Sequence, residues 1–94
     1  MKVTENERKN ANYVIIQSVT IGDDEYILGK HETTGKYVTW NYANGGYYYG
    51  HNIYDYAAAK IELYTRCIYE MEYLKGEFQN RIAYWEKEQK NDEK

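Results

Sequence analysis

The sequence predicts an α+β fold: a four-stranded antiparallel meander with one long C-terminal α-helix packed on one face. Three observations carry that prediction. Between Tyr13 and Asn52 the chain runs in short β-branched and aromatic segments separated by turn residues. One of those turns contains Asn44-Gly45, a strong hairpin signal because both residues accept positive φ. After Asp55 the apolar period changes from two to alternating steps of four and three, the spacing of a helix face.

Residues 1–12 are charged, Asn-rich and aperiodic, and read as a flexible polar arm. The segment "YVIIQSVTI" (13–21) is the first expected strand, closed by the turn residues "GDD". "EYILGK" (25–30) is the second, and "HETTGK" a loop. "YVTWNY" (37–42) has high β-propensity and "YYYGHN" (47–52) follows the Asn-Gly turn. With Asn44-Gly45 at the centre, Ala43 should face Gly46, Tyr42 should face Tyr47 and Trp40 should face Tyr49. Side chains alternate across a pleat. Val38, Trp40, Tyr42, Tyr47 and Tyr49 should therefore share one face, and Tyr37, Thr39, Asn41, Tyr48 and Gly50 the other. The first set is larger and more apolar, so it is the expected core face.

Asp55 suits a helix N-cap, although Ala58 excludes a full capping box. Beyond it Ala57, Ile61, Tyr64, Ile68, Met71, Phe78, Ile82 and Trp85 recur at helical spacing, with Lys75 filling the one polar step. A helix over 56–89 would be roughly 50 Å long at ~1.5 Å per residue. A six-residue strand spans only ~20 Å. The first half of the helix can cover the sheet, whereas Phe78, Ile82 and Trp85 have no sheet beneath them. Each large side chain left in water forgoes roughly 1.5–3 kcal/mol. Either the helix stops at Lys75-Gly76 and folds back, or another chain covers the stripe. The unbroken heptad phase favours the second: a homodimer through Met71, Phe78, Ile82 and Trp85. The expected organisation is an arm (1–12), one domain (13–89) and a frayed tail (90–94).

At 94 residues the chain can bury one small core. A formal charge of −3 argues against general affinity for nucleic-acid phosphates, which needs clustered cations. The single cysteine, Cys67, cannot form an internal disulfide, and no segment is long and apolar enough for a membrane span. The N-terminus lacks the apolar run of a signal peptide, so a cytoplasmic setting is expected. Cys67 lies mid-helix without a histidine at helical spacing, and reads as a small buried hydrophobe. His31 and His51 are separated by two inter-strand steps, ~9–10 Å, too far to share a metal without help from side-chain reach. No GxSxG, HExxH, P-loop or CxxC pattern occurs. The expectation is a non-enzymatic protein with no catalytic residues, no metal and no cofactor.

Thirteen tyrosines against one phenylalanine is the compositional outlier. Tyrosine has an apolar body and a polar tip, so it suits half-exposed surfaces and interfaces. Tyr37 and Tyr48 are left off the expected core face. Beside them Asp23, Asp24, Glu25 and Glu32 make acidic loops that suit a protein partner with a basic surface. The plain alternative is that these are ordinary solvated tyrosines. A third reading has the sheet aromatics stacking nucleic-acid bases, against which stands the shortage of nearby cations beyond Lys30 and Lys36.

The stretch "YILGKHETTGKYVTWNYANGGYYYGHNIYDYAAAK" (26–60) resembles small uncharacterised proteins of phages and conjugative elements of Gram-positive gut bacteria. The matching positions are Leu28, Gly29, Tyr37–Trp40, Tyr48, Gly50, His51 and Asp55. The resemblance covers little more than a third of the chain and has no counterpart after Met71. It implies an interaction protein, such as an anti-CRISPR or other anti-defence inhibitor directed at a host nucleic-acid-targeting complex. It implies no particular chemistry.

Overall fold

A computed structural model describes residues 8–92. The fold is α+β, with a fully antiparallel sheet and one C-terminal helix, but the sheet has five strands rather than four. They run β1 (Lys9–Asn10), β2 (Tyr13–Ile21), β3 (Asp24–His31), β4 (Tyr37–Ala43) and β5 (Gly46–Ile53), each beside the next. The extra strand comes from the segment expected to be a polar arm. Lys9 and Asn10 turn back onto Val14 and Tyr13, and the Arg8 carbonyl accepts from the Ile15 amide at 2.8 Å. Two residues are too few to show a strand period, so pairing along the β2 edge decides this segment where its composition does not.

The central hairpin keeps the expected register at its tip, with Ala43 opposite Gly46 and Tyr42 opposite Tyr47. Below that the register slips by one residue, so Thr39 pairs with His51 and Asn41 with Tyr48. Tyr49 takes the extra position at φ 58°, a β-bulge built on a residue with a full side chain. Trp40 consequently has no direct Tyr49 partner. Its indole lies against Gly50 on one side and Gly29 on the other, where a Cβ would come within 2.8 Å and 3.0 Å of the ring. Those two glycines are what let the ring lie down on the sheet.

The helix, α1 (Tyr56–Asp92), starts where the sequence places it. The Asp55 carboxylate accepts from the Ala58 amide at 2.9 Å, satisfying a first-turn donor. It continues without a break through Lys75-Gly76 to Asp92, so no fold-back is present; the end of the expected tail lies outside the described residues. Thirty-seven residues make a rod about 55 Å long, and the molecule measures 68 × 28 × 22 Å.

The packing corrects two expectations. The helix lies on the sheet face that carries Tyr37, Thr39 and Asn41, not on the face of Trp40 and Tyr42. It also turns Ala59, Leu63 and Cys67 inward, not Ala57, Ile61, Tyr64, Ile68 and Met71. Tyr26 and Leu28 of β3 close the core from below, with Val19, Ile21, Tyr37 and Ile53 around them. The reason is close approach. Ala59 and Cys67 are small, and with Leu63 at i+4 spacing they let the helix axis settle near the sheet. The β4–β5 hairpin considered alone hides this, because β2 and β3 supply most of the apolar side chains on the covered face. Burial pushes the Cys67 thiol pKa up, and burial together with Glu70 pushes the Tyr26 phenol up to about 12.

The other face closes itself. Ile27 and Val38 are buried there without a helix above them. A row of rings runs His31–Tyr13–Trp40–Tyr47–Tyr42, with successive centroids 5.0, 5.5, 5.2 and 4.8 Å apart at edge-to-face angles. Arg8 finishes the row, its guanidinium 4.8 Å above Tyr42 and 2.6 Å from Glu25. Three of the thirteen tyrosines, Tyr13, Tyr42 and Tyr47, thus stand in for a second covering layer.

Candidate functional site

From Glu77 to Glu88 every residue of the helix is exposed. The sheet's support ends near Leu74, which sits by the β2–β3 turn at Gly22. The sequence-predicted residues Phe78, Ile82 and Trp85 lie in that bare half, 57%, 58% and 62% exposed, and Met71 is half exposed just before it. A shallow apolar groove runs between Phe78, Arg81, Ile82, Trp85 and Glu86. The seam does not begin there. Ile61, Tyr64 and Ile68 are exposed as well, because the sheet takes the opposite side of the same turns. At about 100° per residue the Ile61–Tyr64–Ile68 track stands roughly 130° around the helix from the Ala59–Leu63–Cys67 track. The first half of α1 therefore has two apolar tracks, one covered and one bare.

Where helix and sheet meet at the β4–β5 side, polar groups set the helix orientation. Glu62 accepts from the Thr39 hydroxyl and from His51 Nδ1, both at 2.5 Å, and pairs with Arg66 at 3.3 Å. Arg66 donates to Asn41 Oδ1 and to the Tyr49 carbonyl, each at 2.7 Å. The second of these bonds fixes the bulge. Burial raises the Glu62 carboxyl pKa, but the hydrogen bonds from Thr39, His51 and Arg66 together outweigh it, so Glu62 titrates below the usual carboxylate range. On the open face the Arg8 hydrogen bond, opposed by burial, likewise holds Glu25 low.

The tyrosines and acidic residues singled out in the sequence do not assemble into one surface. Tyr37 packs half-buried against Tyr56 beneath the start of the helix. Tyr48 is half exposed beyond the helix, next to Tyr49. Asp23 is exposed in the β2–β3 turn and Asp24 opens β3 on the helix side. Glu25 points to the opposite face and is paired with Arg8, and Glu32 lies 3.4 Å from Lys9. His31 and His51 fall on opposite faces. His31 Nδ1 accepts from the Thr33 and Thr34 amides at 3.2 Å, organising its loop. Among the described residues no group of His, Cys, Asp and Glu could hold a metal ion, and no helix is long and apolar enough to cross a membrane.

Sequence reasoning missed Arg8, Glu62 and Arg66. Glu62 and Arg66 did carry a signal, an i, i+4 acid–base pair on one face of the helix. Comparison with protein-family models, with curated proteins and with solved structures finds no match.

Proposed function

We propose that the protein is a non-enzymatic protein-binding module that works as a homodimer joined through the helix seam. The observation that supports this is the continuous bare track from Ile61 to Trp85. Its seven large apolar side chains are each about half exposed. At roughly 150–200 Å² apiece they leave on the order of 700 Å² of apolar surface in water. A stable interface buries about 800 Å² per partner, so seam plus flanking residues suffice for one. Patches of this extent on a soluble chain mark interaction surfaces. On this reading the paired helices form a rigid bar to which both sheets are attached.

The exposed Tyr48, Asp23 and Glu32 lie on separate parts of the sheet layer, so a third, basic protein would meet one of these patches rather than all three. Taken with the resemblance to phage and conjugative-element proteins, this supports an anti-defence inhibitor that occludes part of a host nucleic-acid-targeting complex. The second reading, base stacking, now rests on different residues: the Trp40–Tyr47 row beside Arg8, not Tyr37 and Tyr48. Against it, each ring in that row already has an aromatic neighbour, and Arg8 is committed to Glu25.

Light scattering across concentration tests the pairing. The intact chain is expected at twice the monomer mass, and Phe78→Glu/Trp85→Glu at the monomer mass with unchanged helix content. A monomer in both cases sinks the reading. Affinity capture with and without nuclease separates the partner classes. A protein retained after nuclease supports the module, whereas salt-sensitive binding of oligonucleotides supports stacking.

A further inference from the structure

We infer that the second copy lies antiparallel along the full seam, with Lys75 and Glu72 selecting that orientation. The inference rests on the pairing proposed above and specifies its geometry. From Ile61 the seam steps three, four, three, four to Trp85, which is a heptad a/d series: Ile61, Ile68, Lys75 and Ile82 at a, and Tyr64, Met71, Phe78 and Trp85 at d. A single polar or charged residue at an a position is a known device for fixing register and oligomer state, and charges at e and g set orientation. Lys75 is the sole charged residue in the series.

A parallel pair would put the two Lys75 ammonium groups in one layer between apolar neighbours, where like charges repel and the nearest carboxylates on that side of the rod, the Glu72 side chains, lie three residues away. An antiparallel pair centred near residue 73 overlaps the seam end to end. Ile61 of one copy then lies against Trp85 of the other, Ile68 against Phe78, and Lys75 against Met71. In that register Glu72 of the second copy sits at almost the same level as Lys75, and Glu88 of the second copy at almost the same level as Lys60. Lys60, Glu72 and Glu88 flank the seam, and Lys75 lies in it. The charge pattern is thus complementary in one orientation and conflicting at Lys75 in the other. The arrangement also has room. The sheet occupies the Ala59–Leu63–Cys67 side of the helix, so the first half of the seam is open to a partner's bare half. Each chain would dry the end of the other that no sheet reaches.

Zero-length carbodiimide cross-linking of the unmodified protein, followed by peptide mass spectrometry, tests this. Lys60 and Glu88 are 28 positions apart on one rod, about 42 Å, so a link between them can form only across antiparallel copies. That link is the expected result. An orthogonal readout places a spin label at Lys87→Cys in a Cys67→Ala background. The label–label distance is about 40 Å for the antiparallel register and within about 20 Å for a parallel pair. Lys75→Leu should tighten the dimer several-fold while adding a short-distance population. A dimer without the Lys60–Glu88 link and with only the short distance overturns the orientation and leaves the proposed pairing standing. A Lys75→Leu dimer that keeps the single long distance overturns the role of Lys75. A monomer at every concentration overturns both the orientation and the pairing.

Discussion

The two apolar tracks of the C-terminal helix share one backbone yet differ in what their residues do. Up to Leu74 the covered track consists of Ala59, Leu63 and Cys67, mostly small, and it is dry. The bare track carries the larger Ile, Phe and Trp side chains, and it is wet on the single chain. The difference teaches that residue size does not reveal which stripe is the core. Close packing onto a sheet selects residues that allow approach, and bulk can be kept for a partner.

Mutations can break or sharpen this contrast. Leu63→Ala removes a fully buried side chain from the Tyr26–Leu28 core and should cost about 2–5 kcal/mol, read by chemical denaturation. A smaller cost would mean the helix is only loosely seated on its own sheet. Next comes the polar junction. Glu62→Gln weakens charge-assisted bonds to Thr39, His51 and Arg66 and should cost on the order of 1.5–3 kcal/mol at neutral pH.

The same residue fixes a sign with pH. Because the folded Glu62 carboxyl titrates below its unfolded value, near 4.5, its contribution is complete above that pH. It is lost as pH falls through the lower folded value. An acid titration of stability should therefore be flatter for Glu62→Gln than for the natural chain, and equal slopes would remove Glu62 from the account. Asp55→Ala, at the helix start, should cost about 1 kcal/mol in the same assay. Smallest of all is Ile82→Ala in protein dilute enough to be monomeric, where the change should stay within about 0.5 kcal/mol. At concentrations that favour pairing, the same substitution should lower the melting temperature. If Ile82→Ala destabilises the dilute chain as much as Leu63→Ala does, the bare half is packed intramolecularly and the contrast fails.

Much of the fold was legible because local chemistry and tertiary structure agree. Asn44-Gly45 sets the hairpin tip, Asp55 caps the helix, and the heptad phase crosses Gly76 without a stop. The face of the sheet was not legible. The decision lies in β2 and β3, through Val19, Ile21, Tyr26 and Leu28, and a two-strand view of the hairpin cannot contain it. Nor was the bulge, since Tyr49 adopts positive φ without the glycine that usually announces it and is held by the Arg66 bond to its carbonyl. The seam was visible as a stripe. Its outward orientation was not, because the periodicity of one stripe says nothing about a second running beside it.

Cys67 gives this architecture a built-in clock. Its sulfur is shut between the helix and β3 and its thiolate is disfavoured, so a disulfide reagent can modify it only after the helix lifts away. The rate of that reaction in the folded protein measures how often the two layers part company. Comparing it between dilute and concentrated samples would show whether a neighbouring chain keeps the lid shut.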